Sequence, residues 1–269
     1  MFDRQAYLTR IGLAHVDLAR PSSLASLHRA HIAAIPFENL DIQMGRPIAL
    51  DAGSIQSALV GRRRGGYCFQ QNGLFRMALQ AMGYEPRPHQ ARVVDASGAV
   101  LPRTHMVLTV CAEGVDWLVD VGFGGHGIVE PIRLDGHIAI QDGWSYRLVW
   151  NGRLRVLQRA GTGGWDDLYE FGDDEAQDVD YLVGNWFTST HPDSKFVRNL
   201  IVHRMVGARR YILRNLTYSV AADGGEWQVL EVRREELVPL LREVFDLDVP
   251  DDARFRALDA GPAAGSSRI

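Results

Sequence analysis

The sequence predicts an α+β fold in three parts: a helical stretch over residues 1–83, a β-barrel over 84–192, and a mixed α/β region over 193–269. Three observations predict it. Apolar residues recur at helical spacing behind capping residues up to Gly83. From about residue 87 the apolar period changes to two. The short strand-like runs that follow are separated by hairpin dipeptides, a spacing that suits a sheet curling into a barrel.

In chain order, Ser22 or Ser23 caps a first helix whose apolar members are Leu24, Leu27, Ile32 and Ala33, stopped near Pro36. Asp51 caps a second through Ile55 and Leu59. A third begins at about Cys68, with Leu74, Phe75, Ala78 and Met82 on one side and Gly83 as its stop. Strands over 107–111 and 115–121 flank Glu113-Gly114; strands over 144–150 and 154–157 flank Asn151-Gly152, a strong hairpin signal. After a polar stretch over 172–180 comes Asn185-Trp186-Phe187-Thr188-Ser189-Thr190-His191-Pro192, rich in aromatic and hydroxyl side chains. Strands are expected over 200–206, 211–213 and 227–232, an amphipathic helix over 235–247, and a frayed Gly-, Ala- and Ser-rich tail from Gly261.

Composition excludes several classes of function. Lys and Arg number 29 against 33 Asp and Glu, a net charge of −4, so no basic excess exists to hold nucleic acid; Arg62-Arg63-Arg64 reads as a solvated helix end. No apolar run reaches the length of a membrane span, and the first residues lack the basic-then-apolar order of an export signal. With only Cys68 and Cys111, the expectation is a cytoplasmic protein with two free thiols. No C-x-x-C or H-E-x-x-H spacing supports a metal site. The glycines of Val121-Gly122-Phe123-Gly124-Gly125-His126-Gly127 loosely match a dinucleotide fingerprint, but no helical pattern follows them.

Chemistry concentrates in Arg64-Gly65-Gly66-Tyr67-Cys68-Phe69-Gln70-Gln71-Asn72. Two glycines turn the chain ahead of a helix and place Cys68 in its first turn. Unpaired N–H groups and the helix dipole there favour a thiolate and can hold an oxyanion. Arg64 adds to that field or packs its stem. A nucleophile of this kind needs a base and an orienting group. Pairing about Glu113-Gly114 sets residue 105 opposite residue 122, which makes His105 and Asp120 diagonal neighbours on one face. By spacing alone a structural histidine and a turn-forming aspartate account for the pattern as well, and a free cysteine is ordinarily a small buried hydrophobe.

The chain resembles the arylamine N-acetyltransferase family in Pro36-Phe37-Glu38-Asn39-Leu40, in Arg64-Gly65-Gly66-Tyr67-Cys68, in Thr104-His105-Met106, in Val119-Asp120-Val121-Gly122-Phe123-Gly124 and in Thr188-Ser189-Thr190-His191-Pro192, which occur in the family's order. The resemblance implies a cysteine-protease-like arrangement in which the helical part supplies Cys68, the barrel supplies His105 and Asp120, and the C-terminal α/β region is a lid. It implies ping-pong chemistry: Cys68 takes an acetyl group from acetyl-CoA, a co-substrate rather than a resident cofactor, and passes it to an arylamine or hydrazine. Phe37, Tyr67, Phe69 and Phe123, with Thr104 beside the histidine, are the candidates for a flat apolar acceptor slot, Phe69 equally well read as core. Gly124 and Gly125 are candidates for close backbone approach to CoA, or simply loop. The departure is Gln70, where many bacterial members carry Glu and vertebrate members Gln; it removes a charge near the site.

Rival readings share parts of this pattern. A thiol hydrolase or amidase would use the same triad with water as acceptor. An amide synthase closing an aromatic-amine polyketide would differ only in its acceptor groove. A non-catalytic binding module would carry a broken triad, and this triad is intact.

Overall fold

Caps and apolar spacing account for the N-terminal helices. The computed structural model describes residues 2–14, 23–95 and 97–259. Helix α1 (Arg4–Arg10) starts at Asp3, whose carboxylate accepts the Ala6 N–H at 2.9 Å. Helix α2 (Ser23–Ala34) follows; the cap expected at Ser22 and the tail from Gly261 lie outside the described residues. The strand β1 (Phe37–Glu38) interrupts the stretch expected to be helical, because its partner is remote in sequence. After the single turn α3 (Leu40–Gln43), Asp51 caps α4 (Ala52–Gln56) through the Ser54 N–H, and the chain widens into a π-turn over Ser57–Gly61. Helix α5 (Cys68–Ala81) ends at Gly83, whose φ of +86° suits glycine. Tyr7, Leu27, Leu59, Leu74, Phe75 and Leu79 pack these helices into one core.

Next come β2 (Arg87–Val93), β3 (His105–Ala112), β4 (Val115–Val119), β5 (Ile132–Arg133), β6 (Ala139–Gln141), β7 (Trp144–Trp150), β8 (Arg155–Gly161) and β9 (Gly164–Phe171). They form an antiparallel sheet in the order β5-β4-β3-β2-β9-β8-β7-β6, curled until β5 approaches β7, so the barrel is nearly closed. Strand β3 is buried on both faces: Val107 points into the barrel, while Met106, Leu108 and Val110 join the helical core. The β3–β4 register pairs Leu108 with Val119 and Cys111 with Asp116. Strand β4 stops short of the expected Val121. The Asp120 N–H leaves the ladder to bond His28 Nε2 at 3.1 Å, and its carboxylate accepts the Gly122 N–H at 2.8 Å.

Helices α6 (Asp178–Thr190) and α7 (Lys195–Arg198) lead into β10 (Ile201–Val206), β11 (Arg209–Arg214), β12 (Thr217–Ala222) and β13 (Gln228–Glu231). These four and β1 form a second sheet, ordered β1-β10-β11-β12-β13, in which Phe37 faces His203. The segment Pro36–Leu40 is thereby a strap between the helical core and the C-terminal sheet. Asn39 tightens it, accepting the Ile201 N–H and donating to the carbonyls of Phe196 and Asn199, each at 2.7 Å. The helix expected over 235–247 is shorter. A 3₁₀ turn at Arg234–Glu236 precedes α8 (Leu237–Glu243), and Asp246, at φ +55°, turns the chain away; a single turn, α9 (Arg256–Asp259), follows. No described helix is long and apolar enough to cross a membrane.

Candidate active site

The loop before α5 is held by polar side chains that nothing can solvate. Gln71 donates to the carbonyls of Pro36 (2.7 Å) and Gly66 (3.2 Å), while its oxygen meets His31 Nε2 at 2.7 Å; His31 Nδ1 in turn meets the Tyr7 hydroxyl at 3.0 Å. Burial drives the His31 pKa down to about 3, so the ring stays neutral and serves as a spacer. The uncharged Gln70 accepts the Tyr67 N–H at 3.4 Å, a back-bond across the helix start that needs no carboxylate.

Arg64 does not face the cysteine as a free charge. It is paired with Glu38 at 2.9 Å and Asp41 at 3.1 Å, with only 10% of its side chain exposed. Removing one partner of a buried pair strands the other, so Arg64→Met should cost about 3–5 kcal/mol in urea unfolding. The double variant Arg64→Met/Glu38→Gln should recover part of that loss. Equal stability of the single variant and wild type would show the pair to be idle.

These constraints place Cys68 at the first position of α5, 3% exposed, its thiol donating to the Thr104 carbonyl at 3.5 Å. The next residue, His105, opens β3; its Nε2 meets Asp120 Oδ2 at 2.8 Å, and Cys68 is its other polar side-chain neighbour. Burial opposes charge on the ring. Yet the Asp120 carboxylate, with the hydrogen bond it accepts and the adjacent sulfur, lifts the His105 pKa to about 9. Asp120 is likewise disfavoured by burial, but the imidazole, the Asn72 amide and the Gly122 N–H hold its carboxyl below the usual range.

Asn72 and Tyr169, which have no role in the sequence reading, complete the surroundings together with Phe123 and Gly122. Asn72, one turn after Cys68, donates to Asp120 Oδ1 (2.9 Å) and the Met106 carbonyl (2.7 Å) and accepts the Val121 N–H (3.0 Å). It thereby locks the helix to both strands. The Asn72 position within the cysteine motif was the available signal. Tyr169 on β9 and Phe123 place their rings 5.0 and 5.4 Å from the His105 ring, walling it from the barrel interior. Gly122 passes so close that a Cβ would stand 2.8 Å from the Cys68 Cα, which explains why no larger residue fits there.

The remaining expected residues separate. Thr104 and Phe123 are partly exposed beside Cys68 and His105. Phe37 and Tyr67 are enclosed. Phe37 stacks on His203 at 5.2 Å, and Tyr67, fully buried, donates its hydroxyl to Asn185 and packs on Phe69 and Phe196. Their apolar rings are used by the interface of α5, α6 and the second sheet. Gly124 and Gly125 are buried against His203 and Ile212, and the Gly125 N–H bonds His203 Nδ1 at 2.9 Å, so the protein's own packing already demands glycine there.

A thiol at a helix start beside a buried imidazole–carboxylate pair is the arrangement of a thiol-nucleophile enzyme. The N-acetyltransferase family model matches residues 22–254. The arylamine N-acetyltransferase of Mycolicibacterium smegmatis is 38% identical over 256 residues, 93% of each chain. The arylamine N-acetyltransferase / N-hydroxyarylamine O-acetyltransferase of Salmonella typhimurium is 35% identical, covering 97% of this chain and 98% of its own. The solved structure of the Mycobacterium marinum arylamine N-acetyltransferase in complex with CoA superposes with a TM-score of 0.86 at 36% identity, covering 91% of this chain and 93% of that one. The chain belongs to the arylamine N-acetyltransferase family.

Proposed function

We propose that this chain transfers an acetyl group from acetyl-CoA to arylamines or hydrazines through a thioester on Cys68. The observation that carries the proposal is the convergence of Cys68 from α5 with the buried His105–Asp120 pair from the barrel. With its pKa lifted to about 9, His105 carries its proton at neutral pH. The sulfur bonds to the acetyl carbonyl carbon, the thioester C–S bond to CoA breaks, and His105 gives the departing CoA sulfur its proton. The amine nitrogen then attacks the acetyl-cysteine, the neutral ring takes the amine proton, and the C–S bond to Cys68 breaks. The Cys68 and Phe69 N–H groups at the start of α5 stabilise the oxyanion of both steps, while the Gln70 N–H is given to the Tyr67 carbonyl at 3.0 Å.

Asp120 keeps the ring oriented and charged; Asn72 keeps Asp120 in place. Thr104 and Phe123 flank the acceptor, whose aromatic amine is largely unprotonated at neutral pH. The backbone of Gly124 and Gly125 borders the thioester's approach. A reducing compartment, the cytoplasm, is the proposed setting, since both cysteines are unpaired thiols.

Initial rates with acetyl-CoA and a panel of arylamines and hydrazines test the reading. Parallel double-reciprocal lines are expected. Intersecting lines, or transfer confined to water, would contradict the thioester route.

A further inference from the structure

The chain carries 28 arginines and a single lysine, Lys195. Lys195 opens α7 beside Phe196, whose ring is 8% exposed and packs on Tyr67 at 5.6 Å and on Phe37 at 5.9 Å. The Lys195 Nζ lies 5.1 Å from the centre of the Phe196 ring, within cation–π distance. Since Tyr67 immediately precedes Cys68, this stack carries the charge towards the nucleophile. The electrostatic neighbours of the ammonium are Cys68, Arg214 and Asp95, and it acts in turn on His203. Lys195 is accessible to water, yet the protein around its ammonium strips enough solvent to push its pKa down; Arg214 pushes the same way, while Cys68 and Asp95 oppose. A side chain that is accessible and enclosed at once stands in a cleft. Among the described residues no carboxylate forms an ion pair with Lys195, and that of Asp95 accepts the Ser97 N–H at 2.8 Å. A partly desolvated cation without a counter-ion favours an anion brought to it.

Resting on the reading that Cys68 hands an acetyl group to an aromatic amine, we propose that Lys195 is a specificity-determining residue: it takes a carboxylate carried on the amine's ring, so that aminobenzoates are preferred over neutral arylamines. The amine nitrogen must reach the acetyl carbon on Cys68, and its ring then extends away from the sulfur through the cleft. His203, on which the ammonium acts, holds the Gly125 N–H at 2.9 Å. Lys195 thus neighbours both the nucleophile and the anchor of the loop that carries Phe123. A flat ring flanked by Phe123 brings its substituent into Coulombic reach of the ammonium. The phosphates of CoA are a poorer match, because they hang at the far end of the pantetheine arm from the thioester. Lysine suits the position, since it sets a compact point charge on a slim stem where arginine brings a broad planar fork. A carboxylate on the acyl group of the donor would present the same chemistry from the other substrate, and the experiment separates the two sources.

Initial rates with 3- and 4-aminobenzoate, each compared with the matching aminobenzamide and with acetyl-CoA as donor, test this proposal. The two members of a pair have nearly the same shape, so the ratio of their kcat/KM values cancels general damage to the fold or to the thioester. In wild type the ratio should favour the acid at least about tenfold in one pair or both, and Lys195→Met should lower it at least about tenfold, through KM. Lys195→Arg keeps the charge and should hold the ratio well above that of Lys195→Met. A wild-type ratio at or below one in both pairs, or a ratio that Lys195→Met leaves unmoved, would overturn the inference with acetyl transfer still standing. Acetylation of none of these amines would overturn both. A cation that serves the donor would instead show as slower acylation of Cys68 by malonyl-CoA, relative to acetyl-CoA, in a Lys195→Met chain whose amine ratio is unmoved, and that result would also overturn the inference.

Discussion

Cys68→Ala should remove acetyl transfer, with the rate falling at least about 10⁴-fold, while the fold stays intact. No other side chain can replace the sulfur: Cys111 is exposed at the far end of β3, opposite Asp116 on β4. The substitution deletes one atom from a site that is 3% exposed and breaks a long contact to the Thr104 carbonyl and the one to His105, so unfolding free energy should change by about 1 kcal/mol. Cys111→Ser serves as the control and should keep most activity. Residual transfer by Cys68→Ala above about one hundredth of wild type would assign the nucleophile elsewhere.

Asp120→Asn should be nearly as damaging, about 10³–10⁴-fold in kcat/KM, because the buried ring loses the charge that holds both its orientation and its proton. The same variant carries a distinct signature in stability against pH. His105 has a folded pKa raised to about 9, above its unfolded value. Its contribution is therefore fully present below about pH 6.5 and is lost as pH rises through 9, on the order of 3 kcal/mol for a shift of this size. Asp120 is shifted downward, so its contribution is present above the ordinary carboxylate range and is lost as pH falls through its depressed value. Urea titrations of wild type between pH 6 and pH 10 should thus show a stability loss on the alkaline side. In Asp120→Asn only the adjacent sulfur is left to oppose burial, the ring loses its largest source of a raised pKa, and most of that alkaline loss should vanish. An unchanged alkaline slope in the variant would mean that Asp120 does not control the ring.

Much of this geometry is legible before any coordinates because it is local. The glycines ahead of Cys68, the Asp51 cap and the two hairpin dipeptides each set backbone within a few residues, and the β3–β4 hairpin alone puts His105 near Asp120. What the sequence hides is set by remote partners. Two-residue β1 exists only because β10 pairs with it. Strand β9 is largely exposed over Gly164–Asp167, so its alternation is masked by Asp166 and Asp167. Helix α6 buries Asn185 and Thr188 while exposing Leu182 and Trp186, which inverts the polarity that marks a helix in one chain. Conversely, two aromatics of the matching motifs, Tyr67 next to the cysteine and Phe37 in Pro36–Leu40, are both enclosed by tertiary packing. Proximity along the chain does not say which side of the nucleophile a ring occupies.

The account turns on a covalent acetyl-cysteine, and mass spectrometry of the chain mixed with acetyl-CoA alone tests it most directly. The expected result is one added acetyl group per chain, found on the Cys68 peptide, absent from Cys68→Ala and discharged when an arylamine is added. An adduct on any other residue, or turnover of arylamine with no adduct on Cys68 at any time, would contradict it.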